Sequence, residues 1–225
     1  MKRGSTNRTE VAIRRILIVD DHPIVRQGLV ALIAQQTGLE VLGEAANVAA
    51  ALRHAKATRP DLIIVDIQLN GENGIELIRK LKALQPHIKI LVSSIHDEMV
   101  FAERALRAGA LGYICKRDSV SKILDAVHQV LRGKIYLSPH MANHLLHRVT
   151  EGRNLDQNFV QGLTNRELEV FELIGQGNTR QQIASKLFIS PRTVETHRQN
   201  IKQKLNLQNS AQLIRSAIQW VLEGY

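Results

Sequence analysis

Two adjacent aspartates, Asp20 and Asp21, close one apolar run (16–19), and a third, Asp66, closes another (62–65). Ser94 follows the run 88–93, and Lys116 follows the run 111–115. Runs this short and this apolar suit strands buried on both faces, hence a parallel sheet covered by helices. In such a sheet the carboxyl ends of the strands open on one crevice, where ligands bind. Carboxylates gathered there suit a hard divalent cation, which takes oxygen ligands and bridges to phosphate oxygens. A hydroxyl and an ammonium across the crevice would hold the remaining phosphoryl oxygens. This is the chemistry of phosphoryl transfer, with an aspartate available as acceptor.

The elements that must position these groups follow from periodicity. Amphipathic helical patterns run over 23–36, 48–57, 74–84, 98–108 and 120–131, alternating with the apolar runs. That alternation predicts five βα units in flavodoxin-like order, a five-stranded parallel sheet. Asn73 is a cap for the helix that Gly74 opens, whereas Asp21, before His22 and Pro23, has the alternative of being a simple helix cap.

A second region reads differently. Thr164 with Glu167 and Thr179 with Gln182 form capping boxes, Ser190-Pro191 starts a third helix, and Asn209 or Ser210 starts a fourth. The short turn at Phe188-Ile189 joins the second and third helices as a helix-turn-helix requires. At about 100° per residue, Ile201 and Leu205 lie within about 20° of Val194. Arg192, Thr196, Gln199 and Gln203 lie within about 40° of the opposite pole, flanked by Glu195 and Asn200. That polar stripe suits base edges in a major groove, and Arg198, Lys202 and Lys204 toward its margins suit phosphates.

With both regions in view, residues 16–132 resemble the receiver domain of two-component response regulators. Residues 163–222, opening Leu163-Thr164-Asn165-Arg166-Glu167, resemble the LuxR-type helix-turn-helix. Together they are similar to the NarL/FixJ-type DNA-binding regulators, and two motifs in this order are far more specific than either alone. The resemblance implies an α/β receiver followed by an all-α four-helix domain. It implies Asp66 as phosphoacceptor, Mg²⁺ held by Asp20, Asp21, Asp66 and the carbonyl of Gln68, and a switch made of Ser94, Tyr113 and Lys116. It implies DNA contacts from Arg192, Thr193, Glu195, Thr196, Arg198, Gln199, Lys202 and Lys204. The expected partners are double-stranded DNA, a sensor histidine kinase, a second copy on phosphorylation, and RNA polymerase. The expected location is cytoplasmic, without membrane association.

Three departures stand out. The loop after Asp66 commonly carries Pro and Asp where this chain has Asn70 and Asn73. Lys116 precedes Arg117 rather than Pro. Glu195 stands where many members have Lys; an acid there repels phosphate and accepts from a cytosine amine, which favours specificity over affinity.

Charge and composition set the remaining bounds. The net charge is +9, of which residues 1–15 carry +4, residues 16–134 carry +2, residues 135–159 none, and residues 160–225 carry +3. The expected division is a basic disordered tail (1–15), a receiver (16–134), a linker with an amphipathic helix (135–162) and the DNA-binding domain (163–225). Within the linker, Ser138-Pro139 starts a helix over 139–149, and 151–161 reads as a flexible tether. His140, His144 and His147 share that helix's polar side, away from Met141, Leu145, Leu146 and Val149. With no cysteine or carboxylate to complete a zinc site, they read as a solvated face. Single Cys115 reads as a small core residue of a reducing compartment, and no run is long and apolar enough for a membrane helix.

Two rivals remain open on sequence. One is a phosphatase or phosphotransferase with an aspartate nucleophile, which would need a substrate pocket and usually a cap domain. The other is a transcription factor controlled by a ligand or partner, with a vestigial phosphoacceptor site.

Overall fold

In the computed structural model, the described residues are 12–69, 72–150, 160 and 162–222, with the side chains of 148–150 left aside. The basic leading segment up to residue 11, Asn70, and most of the tether at 151–161 lie outside them. The chain divides into two compact units, residues 1–141 and 142–225.

The first unit alternates strands and helices: β1 (Arg14–Val19), α1 (Pro23–Ala34), β2 (Leu39–Ala45), α2 (Val48–Thr58) and β3 (Leu62–Val65). A two-residue hairpin follows, β4 (Gln68–Leu69) and β5 (Glu72–Asn73). Then come α3 (Gly74–Leu84), β6 (Lys89–Ser94), α4 (Glu98–Ala108), β7 (Gly112–Cys115) and α5 (Val120–Leu131). The main sheet has the order β2-β1-β3-β6-β7 with every pair parallel. Alternate residues of the strands point to opposite faces. Ile16, Ile18, Leu62, Ile64, Leu91 and Ile114 meet Leu29 and Ile33 of α1 and Ala126, Val127 and Val130 of α5 in one core cluster.

The expected helices appear within one or two residues of their predicted ends, and so do the four apolar strands. The fifth strand, β2, has no uninterrupted apolar run, because it is a sheet edge with exposed Glu40 and Glu44. Strand β1 begins at Arg14, so the last two residues of the supposed tail belong to the sheet. Arg14 N–H donates to the Gly38 carbonyl at 2.8 Å, and the Asp61 carboxylate accepts from Arg15 N–H at 2.8 Å. The start of the linker also belongs to this unit: Tyr136 forms a parallel bridge to Gly112, extending the sheet beyond β7. Cys115 is half-buried rather than in the core, since it ends the edge strand.

Helix α6 (Pro139–Thr150) starts as expected, with Ser138 Oγ accepting from Met141 N–H at 3.1 Å. His140 and His147 are exposed and His144 half-exposed, but Leu146, expected on the apolar side, is 63% exposed as well. The helix contains the division between the units, at residues 141 and 142.

The second unit contains α7 (Asn165–Gly175), α8 (Arg180–Lys186), α9 (Pro191–Lys204) and α10 (Ser210–Leu222). Both capping boxes are complete, and Ser190 and Asn209 accept from Thr193 and Gln212 N–H at 3.0 and 2.9 Å. Gly175 lets α7 approach α10, since a Cβ there would stand 2.4 Å from the Ala217 carbonyl. Val194 and Ile201 are fully buried, which turns the opposite face of α9 outward.

Candidate functional site

The carboxyl edge of the main sheet brings together residues that lie far apart in the chain. Asp20 follows β1, Asp66 follows β3, Ser94 ends β6 and Lys116 follows β7. Backbone bonds continue the ladder past the strands and fix these positions. Asp66 N–H donates to the Val19 carbonyl and Lys116 N–H to the Ser94 carbonyl, both at 2.8 Å. On the far side of Asp66, Asn73 Oδ1 caps α3 by accepting from Ile75 and Glu76 N–H at 2.9 and 3.3 Å. Gly74 is required there, because a Cβ would lie 2.1 Å from the Asp66 carbonyl.

Lys116 Nζ lies 2.5 Å from Asp20 Oδ2 and 2.6 Å from Asp66 Oδ2, with all three side chains nearly buried. One ammonium thus faces two carboxylates, and Asp21 adds a third nearby. Burial pushes the Asp66 carboxyl up from its ordinary value, against the pull of Lys116. Burial alone would lower Lys116, but Asp66 and Asp20 outweigh it and hold the ammonium above its ordinary value. Buried charge of this kind costs several kcal/mol unless it is paired, so the excess negative charge favours a cation.

One group among the described residues has metal-ligand geometry: Asp20, Asp21, His22 and Asp66, with ligand atoms within 4.8 Å of one another. Its hard carboxylate oxygens fit Mg²⁺. Neither Asp20 nor Asp21 is the N-cap of α1. That residue is His22, whose side chain makes no cap bond, and Pro23 supplies the helix start. His22 is the member that sequence reasoning passed over, its Nδ1 2.7 Å from Asp21 Oδ1. The Gln68 carbonyl was expected beside these oxygens. What the structure records for Gln68 is its N–H at 3.4 Å from Asp66 Oδ1 and its side-chain oxygen at 3.3 Å from His96 Nε2.

Ser94 is fully buried, and its Oγ accepts from His96 N–H at 3.2 Å. Tyr113 already points inward, 1% exposed, with its hydroxyl donating to the His96 carbonyl at 3.1 Å. Burial raises the Tyr113 phenol well above its ordinary value, so it stays a donor. His96 therefore touches Ser94, Tyr113 and Gln68 at once, a role no spacing in the sequence announced. Two bonds lead on from here. The Tyr136 carbonyl accepts from Tyr113 N–H at 2.9 Å, and Glu98 Oε1 accepts from Ser138 N–H at 2.9 Å. Arg26 was also missed: its guanidinium donates to the Asp20 carbonyl at 2.7 Å and to Glu44 at 3.1 Å, bracing the segment that carries both aspartates.

In the second unit, Arg192, Thr193, Thr196 and Gln199 are exposed on α9, and Glu195, Arg198 and Lys202 are half-exposed. Two of the expected phosphate contacts are engaged within the domain. Lys204 Nζ lies 2.7 Å from Glu167 Oε2, and Arg198 Nε lies 3.6 Å from Glu195 Oε2 with its side chain only 15% exposed. Burial would raise the Glu167 carboxyl, but Lys204 and Thr164 overcome this and hold it below its ordinary value.

Residues 16–128 match the family described as the response regulator receiver domain, and residues 161–217 match the bacterial regulatory proteins of the luxR family. The chain is 34% identical to the response regulator GacA of Pseudomonas aeruginosa over 204 residues, 91% of this chain and 95% of that protein. It is 36% identical to the transcriptional regulatory protein LiaR of Bacillus subtilis over 202 residues, 88% of this chain and 93% of that one. Among solved structures, a LuxR-family two-component response regulator from Aurantimonas sp. SI85-9A1 is 34% identical, with TM-score 0.58, covering 62% of this chain and 99% of that one. RcsB from Salmonella enterica serovar Typhimurium, bound to a promoter in the presence of the phosphomimetic BeF3-, is 25% identical with TM-score 0.56, covering 91% and 98%.

The fold and its two sites define a receiver joined to a LuxR-type DNA-binding domain. The chain belongs to the NarL/FixJ-type response regulators. It is a DNA-binding regulator of a two-component system and not an enzyme; neither rival reading is favoured. No described helix is long and apolar enough to cross a membrane.

Proposed function

We propose that Asp66 is the phosphoacceptor and that its phosphorylation by a sensor histidine kinase controls dimerisation and promoter binding. The observation that carries this is the buried Lys116 ammonium, within hydrogen-bond reach of both Asp66 and Asp20. An Asp66 carboxylate oxygen attacks phosphorus, the bond to the donor's imidazole nitrogen breaks, and the leaving nitrogen keeps the electron pair. Asp20, Asp21, Asp66 and the Gln68 carbonyl would hold Mg²⁺, which neutralises phosphoryl oxygens when bound. Lys116 pairs with the phosphoryl group, and Ser94 turns its hydroxyl to donate to it.

Rotation of Ser94 gives up the bond from His96 N–H, and His96 also holds the Tyr113 hydroxyl. From there the change reaches the linker by two routes, through Tyr113 to Tyr136 and through the start of α4 at Glu98 to Ser138. A local change of charge is thereby read by a packed element with two arrangements.

At the other end of the chain, the exposed face of α9 reads bases through Arg192, Thr193, Glu195, Thr196 and Gln199, with Lys202 toward phosphate. Arg198 and Lys204 add phosphate contacts only on leaving Glu195 and Glu167. A domain with a net charge of only +3 binds weakly as one copy, and two copies gain by effective concentration. RcsB solved on a promoter in the presence of the phosphomimetic BeF3- supports the link between a phosphoryl analogue and promoter binding.

The test is treatment with acetyl phosphate, or beryllofluoride, and Mg²⁺, read by intact mass, sedimentation and footprinting. A phosphoryl adduct on the wild type, absent in Asp66→Ala, with dimerisation and protection following it, is the expected outcome. Equal dimerisation and protection in Asp66→Ala under the same treatment would refute the switch.

A further inference from the structure

The outward turn of α9 has an uneven supply of hydrogen-bonding groups. Gln199 Nε2 lies 3.1 Å from Glu195 Oε1, one helical turn away. A carboxylate only accepts, so the amide must turn its NH₂ end toward Glu195, leaving its carbonyl and second N–H free to face away. The Thr196 hydroxyl spends its single proton on the Arg192 carbonyl at 3.2 Å, so it presents lone pairs. Arg198 holds the second Glu195 oxygen from 3.6 Å, and lies too deep to be a reading group itself. The exposed edge of this turn is therefore weighted toward acceptors, with Arg192 as the exposed donor one turn earlier.

Acceptors in a major groove look for amino groups, and only cytosine N4 and adenine N6 supply them. Glu195 accepts from a cytosine amine. Gln199, oriented by Glu195, uses its carbonyl and remaining N–H for adenine N6 and N7. A phosphate would repel Glu195, so a base edge is the polar group of the duplex that this pair matches. Resting on the reading of α9 as the recognition helix, we propose that Glu195 and Gln199 form one unit that selects neighbouring base pairs presenting amino groups. Cytosine lies opposite Glu195 and adenine opposite Gln199.

Binding sites should be selected from random duplexes with the full-length chain, with and without beryllofluoride and Mg²⁺. Wild type, Glu195→Gln, Glu195→Lys and Gln199→Ala are compared, with circular dichroism confirming equal helix content. Wild type is expected to enrich a cytosine beside an adenine, Glu195→Lys to replace the cytosine by guanine, and Glu195→Gln to relax that position. Replacing the selected adenine by purine, which lacks the 6-amine, should weaken wild-type binding about tenfold or more and leave Gln199→Ala unaffected. An enriched motif that is unchanged by both Glu195 substitutions, or an equal purine penalty in Gln199→Ala, overturns the proposal while α9 still reads DNA. Failure of wild type to enrich any sequence overturns both.

Discussion

The receiver crevice and the outward face of α9 are both built from charged and amide side chains, but under opposite conditions. Asp20, Asp66 and Lys116 come from three strand ends and are almost wholly buried. The α9 residues lie within thirteen positions of one helix, and most are open to water. In the crevice, low dielectric enlarges every change of charge, so one phosphoryl group can move neighbouring side chains. On α9, water and salt screen charge within about 8–10 Å, and discrimination must come from the directions of donors and acceptors. On the function proposed above, the first region acts as a sensor because it is electrostatically poised, and the second as a fixed template used when two copies are presented together.

If that contrast is right, substitutions of similar chemistry should behave very differently in the two places. Lys116→Met leaves two buried carboxylates facing each other and is expected to cost about 3–5 kcal/mol, with Mg²⁺ restoring part of the loss. Thermal unfolding with and without Mg²⁺ checks this, and a shift under 1 kcal/mol would show the crevice to be wetter than its burial indicates. Glu167→Gln, which weakens a capping box and the bond to Lys204, should cost about 1–2 kcal/mol, confined to the second unit. Because the folded Glu167 carboxyl lies below its ordinary value, its contribution is complete above that value and fades as pH falls through the folded one. The gap between wild type and variant should close on acidification, a trend that denaturant titration at stepped pH measures.

Tyr113→Phe removes the hydroxyl that donates to the His96 carbonyl and that also interacts with Ser94, and should cost about 1 kcal/mol. It should leave formation of the Asp66 adduct intact while weakening the dimerisation that follows, as parallel mass and sedimentation measurements would reveal. At the far end of the scale, Phe188 is 94% exposed with φ +54 in the turn before α9. Phe188→Asn relieves a left-handed backbone that aromatic residues adopt reluctantly and should stabilise by about 0.5 kcal/mol, seen as a small rise in the unfolding midpoint of the second unit.

Much of this molecule is legible along the chain. The abrupt step from apolar run to carboxylate at Val19-Asp20 and Val65-Asp66 marks a buried strand and its carboxyl end together, because burial on both faces tolerates no polar residue before that end. Caps at Asn73, Thr164, Thr179 and Ser190 are equally readable, since a cap and its partner lie within three residues. The edge strand β2, the Arg14 start of β1 and the Tyr136 bridge are not, because edges mix polar and apolar residues and draw stability from neighbours distant in sequence. His96 is the clearest case: local pattern places it two residues past Ser94, but only the approach of Gln68 and Tyr113 makes it a junction. Likewise Lys204 reads as a phosphate ligand on a helical wheel, yet packing of α9 on α7 sets it 2.7 Å from Glu167. Periodicity determines which face a side chain occupies; which partner meets it there depends on how elements far apart along the chain pack, and only the folded chain decides that.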